Sequence, residues 1–161
     1  YKGVYFLELV DSMTLEGHQE KPIFNLLQQT LFALKQETEL DSLIRLFEVR
    51  MLSLSGFKPQ IDHCVICKTI IESGTFSFSF IQNGILCKSC SRRVSTDIQF
   101  TMGTRNYIKK LMEIEIKTCG RIKIPKQQEE DIEKFTHRLV LSHLGREPKS
   151  YPFIKTMAQS I

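Results

Sequence analysis

Nothing in this chain of 161 residues reads as a membrane span or a secretory leader: no apolar run is long enough to cross a bilayer. There is no glycine-rich phosphate loop, no His-Glu-x-x-His pair and no nucleophile elbow, so the familiar layouts of nucleotide, metalloprotease and hydrolase chemistry are missing. Internal repeats and low-complexity runs are also absent. The four histidines (His18, His63, His137, His143) form no catalytic constellation, and the six-residue spacing of His137 and His143 suits one helix face poorly. An enzyme is therefore not expected. Cysteine is scarce, five in all, and the odd count argues against a secreted disulfide scaffold and for a reducing cytoplasm.

Four of those five are arranged. Cys64 and Cys67 form one Cys-x-x-Cys, and Cys87 and Cys90 form a second after a spacer of 19 residues. Each pair sets two thiolates on one tight turn, and two turns supply the four ligands of a structural zinc. Such a site is closed, with no position for water or substrate, so the ion holds a shape. Two disulfides or free core thiols are the alternatives, and His63 beside Cys64 is a substitute ligand or a neighbour of the site. Cys119, in a polar stretch, is a bystander.

The net charge of +4 is unevenly spread. Residues 1–55 carry 5 basic and 8 acidic side chains, whereas residues 88–126 carry 10 basic and 3 acidic ones, net +7. Clustered positive charge attracts polyanions such as nucleic acid, or it is a solvated helix face. Arg92, Arg93, Arg105, Lys109 and Lys110 are the candidate phosphate contacts.

Apolar spacing predicts helices over most of the remainder. Val4, Phe6, Leu7 and Val10 already run at helical period from Tyr1, which leads us to expect that a segment lies upstream. Pro22 opens a second helix carrying Ile23, Leu27, Leu31 and Leu34. Thr38 to Asp41 resembles a capping box before the stripe Leu40, Leu43, Ile44, Phe47, Met51 and Leu54, which Gly56 and Pro59 end. Tyr107, Ile108, Leu111 and Met112 mark a short helix with Thr101 or Thr104 as cap. Residues 118–126 form a basic loop. Ile132, Phe135, Leu139 and Val140 mark a helix with acids in its first turn, broken by Gly145 and Pro148, and Ser150 caps a last one from Tyr151 to about Gln159. Between the cysteine pairs, Phe76, Phe78 and Phe80 alternate with serines before Asn83-Gly84, a hairpin signal. A two-residue loop there would set Gln82 opposite Ile85, Ile81 opposite Leu86 and Phe80 opposite Cys87. The expected fold is mainly α: a helical bundle domain (1–60 and 91–161) with an inserted four-cysteine zinc-binding β-hairpin module (61–90).

Several short motifs stand in a telling order and spacing: Glu8-Leu9; Leu46-Phe47-Glu48, Met51-Leu52, Gly56-Phe57, Pro59 and Asp62 before the two cysteine pairs; and His143-Leu144-Gly145, Pro148-Lys149-Ser150 and Phe153 at the end. Together they resemble the RecO family of DNA repair and recombination proteins. Lys68 departs from the pattern, standing where the family often has Gly. The resemblance implies a helical region with a zinc-finger-like module that follows an N-terminal OB-fold domain. It implies a non-enzymatic recombination mediator in the bacterial cytoplasm, associated with the nucleoid. Such a protein binds single- and double-stranded DNA, anneals complementary strands and, with RecR, helps load RecA onto DNA coated by single-strand-binding protein. That protein's acidic, apolar-ended tail is expected on the helical body, where Arg45 is a candidate for gripping a carboxylate. The alternative for Arg45 is a surface ion pair with Glu48 or Asp41. A pure interaction scaffold and a zinc-ribbon transcription or translation factor are the competing functions.

Overall fold

In the third helix of the chain, polar side chains are buried along with apolar ones, and the rest of the fold is arranged around it. The computed structural model describes residues 2–14, 20–36, 39–116 and 124–159. Helix α3 (Leu40–Leu54) packs against α1 (Val4–Met13), α2 (Lys21–Ala33), α4 (Met102–Glu113), α5 (Lys126–Leu144) and α6 (Tyr151–Gln159). Wrapped on so many sides, it buries Ser42, Arg45 and Glu48 along with its expected stripe, while Leu54 at the end of that stripe is exposed. Gly56, at φ +85°, closes the helix in the left-handed conformation that glycine adopts without strain. The N–H of Phe57 then donates to the carbonyl of Leu52 and that of Gly56 to Ser53, the pattern of a Schellman motif. Helix α5 also ends on a left-handed glycine, Gly145 at φ +67°, but here a single bond runs from its N–H to the Leu141 carbonyl.

The mainly α class is as expected, but the sheet differs. It has three antiparallel strands in the order β2-β1-β3, comprising β1 (Thr75–Ser79), β2 (Gly84–Leu86) and β3 (Ile98–Thr101). Strand β3 has too short an alternation to stand out in sequence, and its partner lies some twenty residues upstream. The hairpin register also differs: Ser77 faces Leu86, Phe78 faces Ile85 and Ser79 faces Gly84, leaving residues 80–83 as a four-residue loop. Asn83 takes the positive φ (+49°), but Gly84 does not. Gly84 is needed for a different reason, since a Cβ there would lie 2.9 Å from Val65 Cβ.

Phe76, Phe78 and Phe100 turn from the sheet onto α5, where Phe78 and Phe100 meet Phe135 with ring centroids 4.9 and 5.5 Å apart. Strand and helix residues thus share one hydrophobic core. Of the two candidate caps for α4, Thr101 accepts from the N–H of Thr104. On α2 the buried face is Ile23, Leu26, Thr30 and Ala33, rotated slightly from the expected leucine stripe. The Glu8 carboxylate accepts from the N–H groups of Lys149 and Ser150 and from the Ser150 hydroxyl, tying α1 to the start of α6. Burial works against the charge of Glu8, but these donors together hold its pKa below the usual carboxylate range. Thr38, His18, Cys119 and most of the basic loop (117–123) lie outside the described residues.

Candidate metal centre and nucleic-acid interface

Two arms of chain bring the four cysteines together. In the first, the N–H of Cys64 donates to Thr69 and that of Lys68 to Cys64, closing a tight turn that holds Lys68 at φ +64°. This arm is stitched to β2, because Gln60 donates to the Asn83 carbonyl and accepts from the N–H of Ile85, and Val65 donates to the Ile85 carbonyl. In the second, Ser91 donates to Cys87 and Arg93 to Cys90, making a single 3-10 turn over Cys90–Arg92.

The four Sγ atoms all lie within 4.8 Å of one another, and Cys67 and Cys87 are 3.6 Å apart. Tetrahedral Zn–S bonds of about 2.3 Å set sulfurs about 3.8 Å apart, so the donor set fits such an ion. The spacing is too long for disulfides, and all four thiols are free. Among the described residues the cluster consists of these cysteines alone, with His63 outside it.

The electrostatics agree with this fit. Thr69 hydrogen-bonds Cys67 through its hydroxyl and its N–H, lowering that thiol to about 6. Burial would raise Cys64, but the N–H groups of Cys67, Cys87 and Ile66 hold it below the ordinary thiol range. Cys90 is pushed up to about 12, by burial and by hydrogen bonds with the other cysteines. Four sulfurs this close do not all ionise unaided, whereas a divalent cation lets them.

The expected cations divide into two sets. Arg92 and Arg93 project, exposed, from the turn that Cys90 anchors, with no acidic partner among the described residues. The others are on α4. Arg105 donates from Nε to the carbonyl of Ile61 (2.6 Å) and lies over the Phe76 ring, 5.3 Å from its centroid. Lys109 pairs with Asp62 at 2.7 Å, which holds that carboxyl below its usual range. Both fasten the segment leading into Cys64, a role that Asp62 signals only weakly in sequence. Lys110 is exposed, with Nζ 5.9 Å from the centre of the Tyr107 ring.

Arg45 is not at the surface. It is 1% exposed, bonding Glu48 at 3.0 Å and Asp41 at 3.1 Å. Glu48 also accepts from Tyr5 at 2.6 Å. The expectation that Arg45 presents a free fork to a partner's carboxylate is thus corrected: its own helix supplies the carboxylates, and packing on every side of α3 buries the pair.

The family model described as "Recombination protein O C terminal" matches residues 1–152. The chain belongs to this family. Its relatives named "DNA repair protein RecO" include those of Alkaliphilus metalliredigens (32% identical over 145 residues, covering 89% of this chain and 58% of the relative) and Desulforamulus reducens (26% over 158, covering 98% and 61%). That of Bacillus pumilus is 28% identical over 155 residues, covering 96% and 60%. The chain spans about three fifths of the length of the curated relatives it matches. Membership of the RecO C-terminal family takes the place of the zinc-ribbon transcription or translation factor alternative. No helix among the described residues is long and apolar enough to cross a membrane.

Proposed function

We propose that this chain is the helical, zinc-bearing part of a mediator of DNA repair and homologous recombination. It binds single- and double-stranded DNA and promotes annealing. With RecR it assists the loading of RecA onto DNA coated by single-strand-binding protein, whose tail docks on the helical body. It works in the bacterial cytoplasm at the nucleoid, away from membranes, and turns over no substrate. One structural zinc, held by Cys64, Cys67, Cys87 and Cys90, keeps the two arms in place.

The observation that carries the DNA reading is the Arg92–Arg93 pair. A metal arm fixes its backbone, and no acid among the described residues neutralises it, which is the arrangement that phosphate binding asks for. Arg105 and Lys109 contribute by fixing the first arm, and Lys110 as an exposed cation on the same helix. Removing one cation that neutralises a phosphate should lower the slope of log affinity against log salt by roughly 0.7–0.9. Arg92→Ala with Arg93→Ala is therefore expected to reduce that slope by between one and two on a DNA oligomer. If the body is only a scaffold for RecR or the single-strand-binding protein, the slope stays unchanged.

A further inference from the structure

Beside the end of α3, the loop 80–83 and the last turns of α5 enclose an open groove of about 470 Å³. Phe57, Phe80, Ile81, Asn83 and His143 are among its walls, and no carboxylate lines it among the described residues. Phe57 is 45% exposed and lies against His143, ring centroids 3.8 Å apart. Ile81 is 82% exposed at the tip of the loop. The local backbone displays these groups: the Schellman turn at Gly56 throws Phe57 outward, and Asn83 Nδ2 donates to the carbonyls of Phe57 and Lys58, fixing the loop to it.

The exposed arginine pair is tied to the groove wall along the chain. From Arg93 the chain reaches Asp97 in four residues, at most about 14 Å. Asp97 bonds the N–H of Phe80 and pairs with Arg138 at 3.3 Å, whose guanidinium lies over the Phe80 ring at 4.6 Å. Arg92 and Arg93, which have no partner among the described residues, thus lie within a short span of chain from a groove that has the half-exposed Arg138 at its Phe80 wall and the partly exposed ring of Phe57 in its lining.

We infer that this groove receives an unpaired base of single-stranded nucleic acid, stacked on Phe57 and flanked by Ile81, while Arg92 and Arg93 hold phosphates of the same strand. The inference rests on the DNA reading above and adds to it a site for the base. Every base has a π-face, so stacking on an exposed ring tolerates any sequence. In a duplex those faces are already stacked within the helix, so the groove selects unpaired strands. An acidic peptide with an apolar end offers carboxylates to the arginines but no run of phosphates with a base on every residue, and it stands as the competing outcome.

The chain contains no tryptophan, so Phe57→Trp places a single indole in the groove. Its fluorescence should be quenched by oligothymidylate but not by an abasic strand of equal length, which keeps the phosphates and lacks the bases. Phe57→Ala, and separately Ile81→Ala at a position too exposed to threaten folding, should weaken oligothymidylate binding, Phe57→Ala by about tenfold. Neither should change binding to the abasic strand. Equal quenching by both strands, or alanine variants that bind oligothymidylate like the parent, overturns the groove assignment. So does quenching by an acidic, apolar-ended peptide that oligothymidylate fails to displace. If the parent binds oligothymidylate with a slope set by Arg92 and Arg93 while the groove variants change nothing, only the groove falls. If the parent binds no strand at all, the DNA reading falls with it.

Discussion

Lys68 occupies a left-handed position, φ +64°, at the close of the first cysteine turn. A residue with a Cβ is strained by about 1–2 kcal/mol there, offset in part by the unfolded-chain entropy that glycine adds. Lys68→Gly should therefore stabilise the protein by about 0.5–1 kcal/mol in urea unfolding; a loss of stability would mean that the Lys68 Nζ bond to the Val65 carbonyl outweighs the backbone strain. Arg45 offers the opposite case. Removing it strands the Glu48 carboxylate, fully buried, with Tyr5 as its remaining donor. Arg45→Met should cost about 3–5 kcal/mol, whereas a surface ion pair would cost about 1 kcal/mol or less, so the urea midpoint separates the two.

At the scale of elements, α5 and α6 meet through His137, whose ring stacks on Tyr151 with centroids 3.6 Å apart and planes within 9°. Burial lowers its pKa below 6.5, though Glu48 and Glu147 pull the other way; Arg45 adds to the lowering. The unfolded chain thus takes up the proton first, so the stability contributed by the neutral ring is complete above about pH 6.5 and is lost as pH falls through the folded value. His137→Phe keeps the stack and removes the titration. Its urea midpoint should fall less than the parent's between pH 7 and pH 5, and parallel declines would assign the acid sensitivity elsewhere. The sheet shows how an element can be half-read. The alternation of Phe76 and Phe78 announced β1, but register is decided by pairing partners: Gly84 sits where Val65 and Gln60 press closest, which pins Phe78 opposite Ile85 and leaves a four-residue loop.

For the molecule as a whole, the cysteine cluster and the core do separate jobs. Metal analysis of purified protein should give about one zinc per chain. Structural zinc is worth roughly 10–16 kcal/mol in finger peptides, yet here β1 and β3 also pack on α5 through Phe78, Phe100 and Phe135. Chelation, or Cys87→Ser, is therefore expected to expose the amides of Val65, Lys68, Ser91 and Arg93 to hydrogen exchange while those of Phe76, Phe78 and Phe100 stay protected. Loss of protection throughout the sheet would show that the ion holds the core as well as the arms. If Arg92 and Arg93 hold phosphates as proposed, the same treatment should flatten the salt dependence of DNA binding, because it frees the turn that bears them.

The sequence by itself determined what depends on neighbours in the chain. The cysteine pairs, the helix ends at Gly56 and Gly145, the cap at Thr101 and the acids opening α5 all follow from local geometry or from short-range charge. Only the tertiary structure decided which cations are free. Arg45, Arg105 and Lys109 look like surface charges in a basic or amphipathic stretch, but the burial of Arg45 with its helix partners, and the groups that engage Arg105 and Lys109, are set by packing. Glu48 is shut in with Arg45 by five surrounding helices while Asp41 stays partly exposed, and Asp62 is brought to α4 from over forty residues away. Charge is legible one residue at a time. Whether it is satisfied depends on what the fold places beside it, and on this surface that leaves Arg92 and Arg93 beside the cysteine clamp.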